Sequence, residues 1–161
     1  MTDPNKLLSP IFLEEKEIRK LMELLFFSYR DFTAGPDEIL KHIHFGRVHH
    51  RIIYFVHKHK VITIKELLKI LQISKQSLSR ILDQLVQEKY INISVGIDKR
   101  TRSLTLTEKG IELEKQLSNM QIIKIKNTIQ NADEDEINSF KKILFSMIDP
   151  EGKKIFNKLN K

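Results

Sequence analysis

The sequence predicts a mainly α-helical α+β fold with one small β-hairpin, and three features of its patterning say so. Apolar residues recur at helical spacing over most of the 161-residue chain. The period switches to strict alternation only around residues 90–106. Residues that cap helices stand immediately ahead of several helical runs. A chain that is 40% hydrophobic and 30% charged suits one packed domain rather than a disordered segment.

Taken in order, Ile18, Leu21, Met22, Leu25, Phe26, Tyr29 and Phe32 share one face of a helix read from Ile11 to Phe32. Gly35 is expected to end it, and Pro36 to begin a second helix that runs to about His59 with Ile39, Ile43, Ile52 and Val56 inward. Val61 and Ile62 form a short extended piece. Thr63-Ile-Lys-Glu66 is a capping box, in which the Thr63 hydroxyl takes the Glu66 amide and the carboxylate reaches back. The helix it opens ends near Leu71, and Ser74 caps the next. That one runs to about Lys89 on a core stripe of Leu78, Ile81, Leu82, Leu85 and Val86. Two short helices joined by Gln72-Ile73-Ser74 read as a helix-turn-helix.

Residues 90–95 and 102–106 alternate on either side of a polar loop, a hairpin with a basic tip. A hairpin directly after a helix-turn-helix makes the winged variant. Thr107 then caps a helix reaching about Asn131, Asp133-Glu-Asp-Glu136 opens another, and Asp149-Pro150 a short last one. The expected organisation is a single domain over residues 1–161. Its winged lobe is residues 36–110, with the helix-turn-helix at 63–89 and the wing at 90–107. Residues 1–35 and 111–161 supply apolar helices that a chain of this length cannot cover alone, so they are read as dimerisation helices of a two-fold homodimer.

Charge narrows the function. The chain carries 28 Lys and Arg against 21 Asp and Glu, a net +7. Between Lys41 and Gly110 basic side chains outnumber acidic ones 14 to 5, so the middle of the chain is built to face a polyanion. Zero cysteines and five scattered glycines leave no thiol nucleophile, thiolate metal site, dinucleotide turn or P-loop. No H-E-x-x-H or G-x-S-x-G occurs either. Neither an enzyme nor a cofactor is expected. No run of ~18 apolar residues is present, and the leading MTDPNKLLSP lacks a secretory core. A cytoplasmic protein with no membrane partner is the expectation.

On the helix opened by Ser74, Lys75, Gln76, Ser79, Arg80, Asp83 and Gln87 point away from the core stripe. Arg pairs bidentately with guanine and Gln with adenine. A recognition helix presents such groups from its first turns in the major groove. Lys75 suits a phosphate. At the wing tip, Lys99, Arg100 and Arg102 can follow the backbone or enter the minor groove, with Asp98 orienting an arginine. Double-stranded DNA is therefore the expected partner.

The pattern Asp98-x-Arg100-x-x-x-Leu104-x-Leu106-Thr107-x-x-Gly110, together with ITIKELLKILQISKQSLSRILDQLVQEKYI, resembles the MarR family of winged-helix regulators. The segments FFSYRDFTAGPDEIL and FGRVHHRIIYFV are similar to a PetP-like branch of it. The resemblance implies a triangular homodimer on a pseudo-palindrome, with Gln76, Ser77 and Arg80 at the major groove and Arg100, supported by Asp98, at the minor groove. It also suggests an effector pocket for a small anionic or aromatic molecule, lined by Phe27, Arg47, His49 and His50, that releases a repressor from its operator.

Six histidines lie between His42 and His59, but no two stand three or four residues apart as helical chelation requires. No metal site is assigned. A zinc-responsive regulator using these histidines, and a winged-helix protein-interaction adaptor, stand as the alternatives.

Overall fold

A computed structural model describes residues 13–95 and 101–161. Along the chain run α1 (Glu15–His42), α2 (Arg47–His59), β1 (Ile62–Thr63), α3 (Ile64–Leu71), α4 (Lys75–Gln87), β2 (Ile91–Val95), β3 (Arg102–Leu106), α5 (Glu108–Ile129), α6 (Glu134–Ser146) and α7 (Pro150–Leu159). The chain divides into two compact units, Met1–Ala34 and Gly35–Lys161.

One boundary expected from the sequence is wrong. No helix begins at Pro36: α1 continues through Gly35 and Pro36 to His42. A proline ring normally pushes the residue before it out of the helical region by clashing with that residue's Cβ. Gly35 has none, so the Gly-Pro pair stays helical. The missing Cβ has a second use, because one placed there would lie 2.5 Å from Met120 Cε of α5. The break falls instead at residues 43–46, where His44 adopts φ 57° and the extended Gly46 leads into α2. The Gly46 amide donates to His49 Nδ1 at 3.1 Å, a histidine in the role usually played by a glutamate.

In the second unit the core gathers Leu40, Ile52, Ile53, Val56, Leu67, Leu78, Leu85, Ile91, Leu104 and Leu117, all at 1% exposure or less. These come from every helix and from the two hairpin strands between the end of α1 and the middle of α5, and Ile62 of β1 joins them at 3% exposure. The described strands form an antiparallel sheet in the order β1-β3-β2. Ile62 pairs with Leu104, and Ile91 with Leu106, so the short extended piece after α2 fixes one edge of the hairpin. Val86, assigned above to the core stripe, is 37% exposed; α4 turns its buried face through Leu78, Leu82 and Leu85 only.

Two apolar surfaces remain open. In the first unit, Ile18, Leu21, Met22, Leu25, Phe26 and Tyr29 of α1 are each at least 42% exposed. In the second, so are Ile122, Ile123 and Ile125 of α5, Phe140 and Ile143 of α6, and Met147 at its C-terminal cap.

His50 of α2 is buried at 9% exposure. Burial pushes its imidazole below the ordinary 6.5, with Arg51 acting the same way and Glu114 and Asp37 acting against it. Below pH 6.5 the unfolded chain binds a proton that the fold excludes, so the His50 contribution is complete above that value and declines as pH falls toward the depressed folded value. Denaturation midpoints should therefore rise with pH up to about 6.5 and level off above it, and His50→Gln should reduce the slope. An unchanged slope in that variant would assign it to other groups.

Candidate nucleic-acid interface

Local chemistry builds the helix-turn-helix. The Thr63 hydroxyl accepts the Glu66 amide at 3.2 Å, and Glu66 Oε2 accepts the Thr63 amide at 3.1 Å, the capping box read in the sequence. The Thr63 amide, and its hydroxyl at 2.9 Å, both donate to Glu66 Oε2 and hold the carboxyl below its ordinary range. Gln72 takes the left-handed conformation at φ 51° and turns the chain. The Ser74 hydroxyl then accepts the Ser77 amide at 3.1 Å to start α4.

With Leu78, Leu82 and Leu85 buried, the opposite face of α4 presents Lys75, Gln76, Ser79, Arg80, Asp83 and Gln87 to solvent. Ser77 is half-buried, its hydroxyl bonded to that of Ser74 at 2.8 Å. Among the described residues no carboxylate forms an ion pair with Lys75 or Arg80. Arg102 is exposed at the start of β3, opposite Val95. Asp98, Lys99 and Arg100 lie outside the described residues.

The hairpin is bolted to the end of α4 at its base. Thr107 donates through its amide to the Tyr90 carbonyl at 3.1 Å and through its hydroxyl to the Lys89 carbonyl at 2.6 Å. The same hydroxyl accepts the Gly110 amide at 3.0 Å, capping α5. Lys109 donates to the Glu88 carbonyl at 2.9 Å and lies 4.0 Å from the centre of the Tyr90 ring. The recognition candidates and the wing thus share one rigid base.

The residues read as an effector pocket have these places. Arg47 donates to Asp37 Oδ2 from Nε at 2.9 Å and from Nη2 at 2.7 Å, and from Nε to Oδ1 at 3.2 Å. His49 stacks on Phe45 with centroids 4.5 Å apart. Because its Nδ1 accepts from Gly46, its Nε2 carries the hydrogen and donates to Gln84 Oε1 at 2.9 Å. That bond joins the first turn of α2 to the middle of α4, a link no sequence pattern announced. His50 is buried beside them. Phe27 belongs to the first unit, where it is 47% exposed, edge-on to Phe26 and beneath the Arg30 guanidinium. The other histidines do not converge: His57 faces the buried Glu114 carboxylate at 3.6 Å. Among the described residues no three His, Asp or Glu side chains assemble into a metal-holding group. No described helix is long and apolar enough to cross a membrane.

Known proteins share this arrangement. A model of the MarR family matches residues 45–100. The HTH-type transcriptional regulator PetP of Rhodobacter capsulatus is 40% identical over 141 residues, covering 87% of this chain and 85% of that protein. Among solved structures, a cysteine-to-serine mutant of MarR from E. coli complexed with operator DNA superposes with a TM-score of 0.64 at 22% identity, over 88% of this chain and all of that one. A MepR mutant of S. aureus bound to an oligodeoxyribonucleotide gives 0.57 at 20% identity, over 79% of this chain and 94% of that one. At such identities these two structures speak to the fold alone.

Proposed function

The chain belongs to the MarR family of transcriptional regulators, and from that premise we propose a homodimeric, cytoplasmic repressor that reads a pseudo-palindromic operator. The observation that carries this reading is the exposed face of α4. Lys75, Gln76, Ser79 and Arg80 project from the first turns of a helix whose other face is locked into the core, the geometry of a major-groove reader. The basic excess between Lys41 and Gly110 supplies phosphate attraction. Ser77 acts through the cap it shares with Ser74, while Asp98, Lys99, Arg100 and Arg102 serve the wing.

The homodimer is supported by the open apolar faces of α1 and of α5 and α6, too large for a stable monomer to leave in water. Two recognition helices in such a dimer would lie about 34–36 Å apart, one helical turn of DNA. A small anionic or aromatic effector competing with Asp37 for Arg47 would loosen α2 from the end of α1, and one competing with Gln84 for His49 would loosen α4 from α2 and lower operator affinity.

Selection of bound duplexes from a random pool, followed by sequencing, tests the whole reading. An inverted repeat with half-sites one turn apart is expected, along with a dimer in sedimentation and an affinity that falls steeply with salt. Binding insensitive to salt, or a monomer that binds single half-sites, would overturn it, the first in favour of a protein-interaction adaptor.

A further inference from the structure

Within the second unit, α7 packs against α3 and leaves a cavity of about 140 Å³, open on one side. Its walls are aliphatic, from Val61, Ile62, Ile70, Ile155 and Leu159, while Lys69, Lys158 and Glu66 supply charge. The balance of that charge is positive. Both oxygens of Glu66 are engaged, Oε2 by the Thr63 amide and hydroxyl and Oε1 by Lys158 at a loose 3.6 Å. Lys69 has no ion pair among the described residues. His59, another wall residue, has a buried Nε2 with no hydrogen-bond partner among the described residues. An apolar cup with the Lys69 ammonium, and with the Lys158 ammonium only loosely held by Glu66, has the chemistry to hold a small amphiphilic anion.

We propose that this cavity binds a short aliphatic carboxylate with a branched tail. The tail lies among Ile70, Ile155 and Leu159, and the carboxylate bridges Lys69 of α3 and Lys158 of α7. A tail of about five carbons is the right scale, since a ~150 Å³ apolar cavity admits one benzene ring. The site is separate from Arg47, His49 and His50. Its occupant fastens the last helix to the first helix of the helix-turn-helix, so the ligand would shift DNA affinity by binding one arrangement of α7 better than the other. That consequence rests on the repressor reading; the binding does not.

Calorimetric titration of the full chain with isocaproate, and with its neutral isostere isocaproamide, tests the site. Isocaproate is expected to bind, with the amide weaker by about tenfold or more because it lacks the charge-assisted bonds. The double substitution Lys69→Ala and Lys158→Ala, both on exposed side chains, should bring the acid down to the level of the amide. Ile155→Trp should abolish binding of both by filling the cup. Equal affinity for acid and amide, acid affinity indifferent to the lysine pair, or no heat of binding would each overturn the site. The lysine variants decide the question even if Ile155→Trp fails to fold. Failure of the chain to bind any duplex would remove the repressor reading and leave the calorimetric result standing.

Discussion

Gly110→Ala should destabilise the protein by about 3 kcal/mol or more, at the top of the range for overpacking. A Cβ on residue 110 would lie 2.2 Å from the Tyr90 carbonyl oxygen and 3.3 Å from Leu106 Cβ. The first neighbour cannot swing aside, because it is backbone and already accepts the Thr107 amide at 3.1 Å. Making room means pulling α5 away from the base of the wing and straining the Thr107 bonds to Lys89 and Gly110. Chemical denaturation measures the loss, and DNA affinity should fall with it as the wing loses its anchor. Gly46→Ala is the control: nothing lies within 4 Å of a Cβ there, and as a helix-capping position it should cost no more than about 1 kcal/mol. If the two variants were equally stable, the close approach of Tyr90 and Gly110 would carry no energetic weight.

Arg80→Ala should leave the fold intact and reduce operator affinity by roughly 1–3 kcal/mol, about 5- to 150-fold, for each half-site, with preference lost at one base position in each. Arg80 is exposed, with Leu78 and Leu82 buried on either side of it in sequence, so its removal opens no cavity. Lys75→Ala makes the informative contrast. Because Lys75 is a phosphate partner in this reading, Lys75→Ala should weaken all duplexes alike and lower the salt slope by about one unit per protomer, about two for the dimer, with the base preferences kept. Competition binding against operators randomised at each position separates the two outcomes. An Arg80 variant that kept every base preference would move the reading helix elsewhere on the surface.

Much of the architecture was legible because it is written in local chemistry. Thr63 with Glu66, Ser74, Thr107, and Asp133 with Glu136 each announce a helix start, and each makes the expected bond in the folded chain. The exposed face of α4 was legible for the same reason: a 3.6-residue period that buries Leu78, Leu82 and Leu85 forces Lys75, Gln76, Ser79 and Arg80 outward. The pattern from Leu104 to Gly110 could be recognised from sequence, but its physical cause could not. Gly110 is required by the Tyr90 carbonyl, 20 residues earlier in the chain.

What failed was contact-dependent. Gly35-Pro36 reads locally as a helix boundary, yet the helix passes through it, because glycine removes the pre-proline clash and Met120 packs into the space a side chain would fill. The true break at residues 43–46 has no proline, and its cap is His49, a residue type that does not signal a helix start. The bond from His49 to Gln84 joins residues 35 apart, so no periodicity on either helix could reveal it. Sequence alone determined where the helices capped by Thr63, Ser74, Thr107 and Asp133 begin and which side chains α4 offers, because capping and periodicity act within a few residues. Tertiary structure alone decided where α1 ends, why residue 110 must be glycine and how α4 is braced against α2, because each depends on which distant atoms occupy the adjoining space.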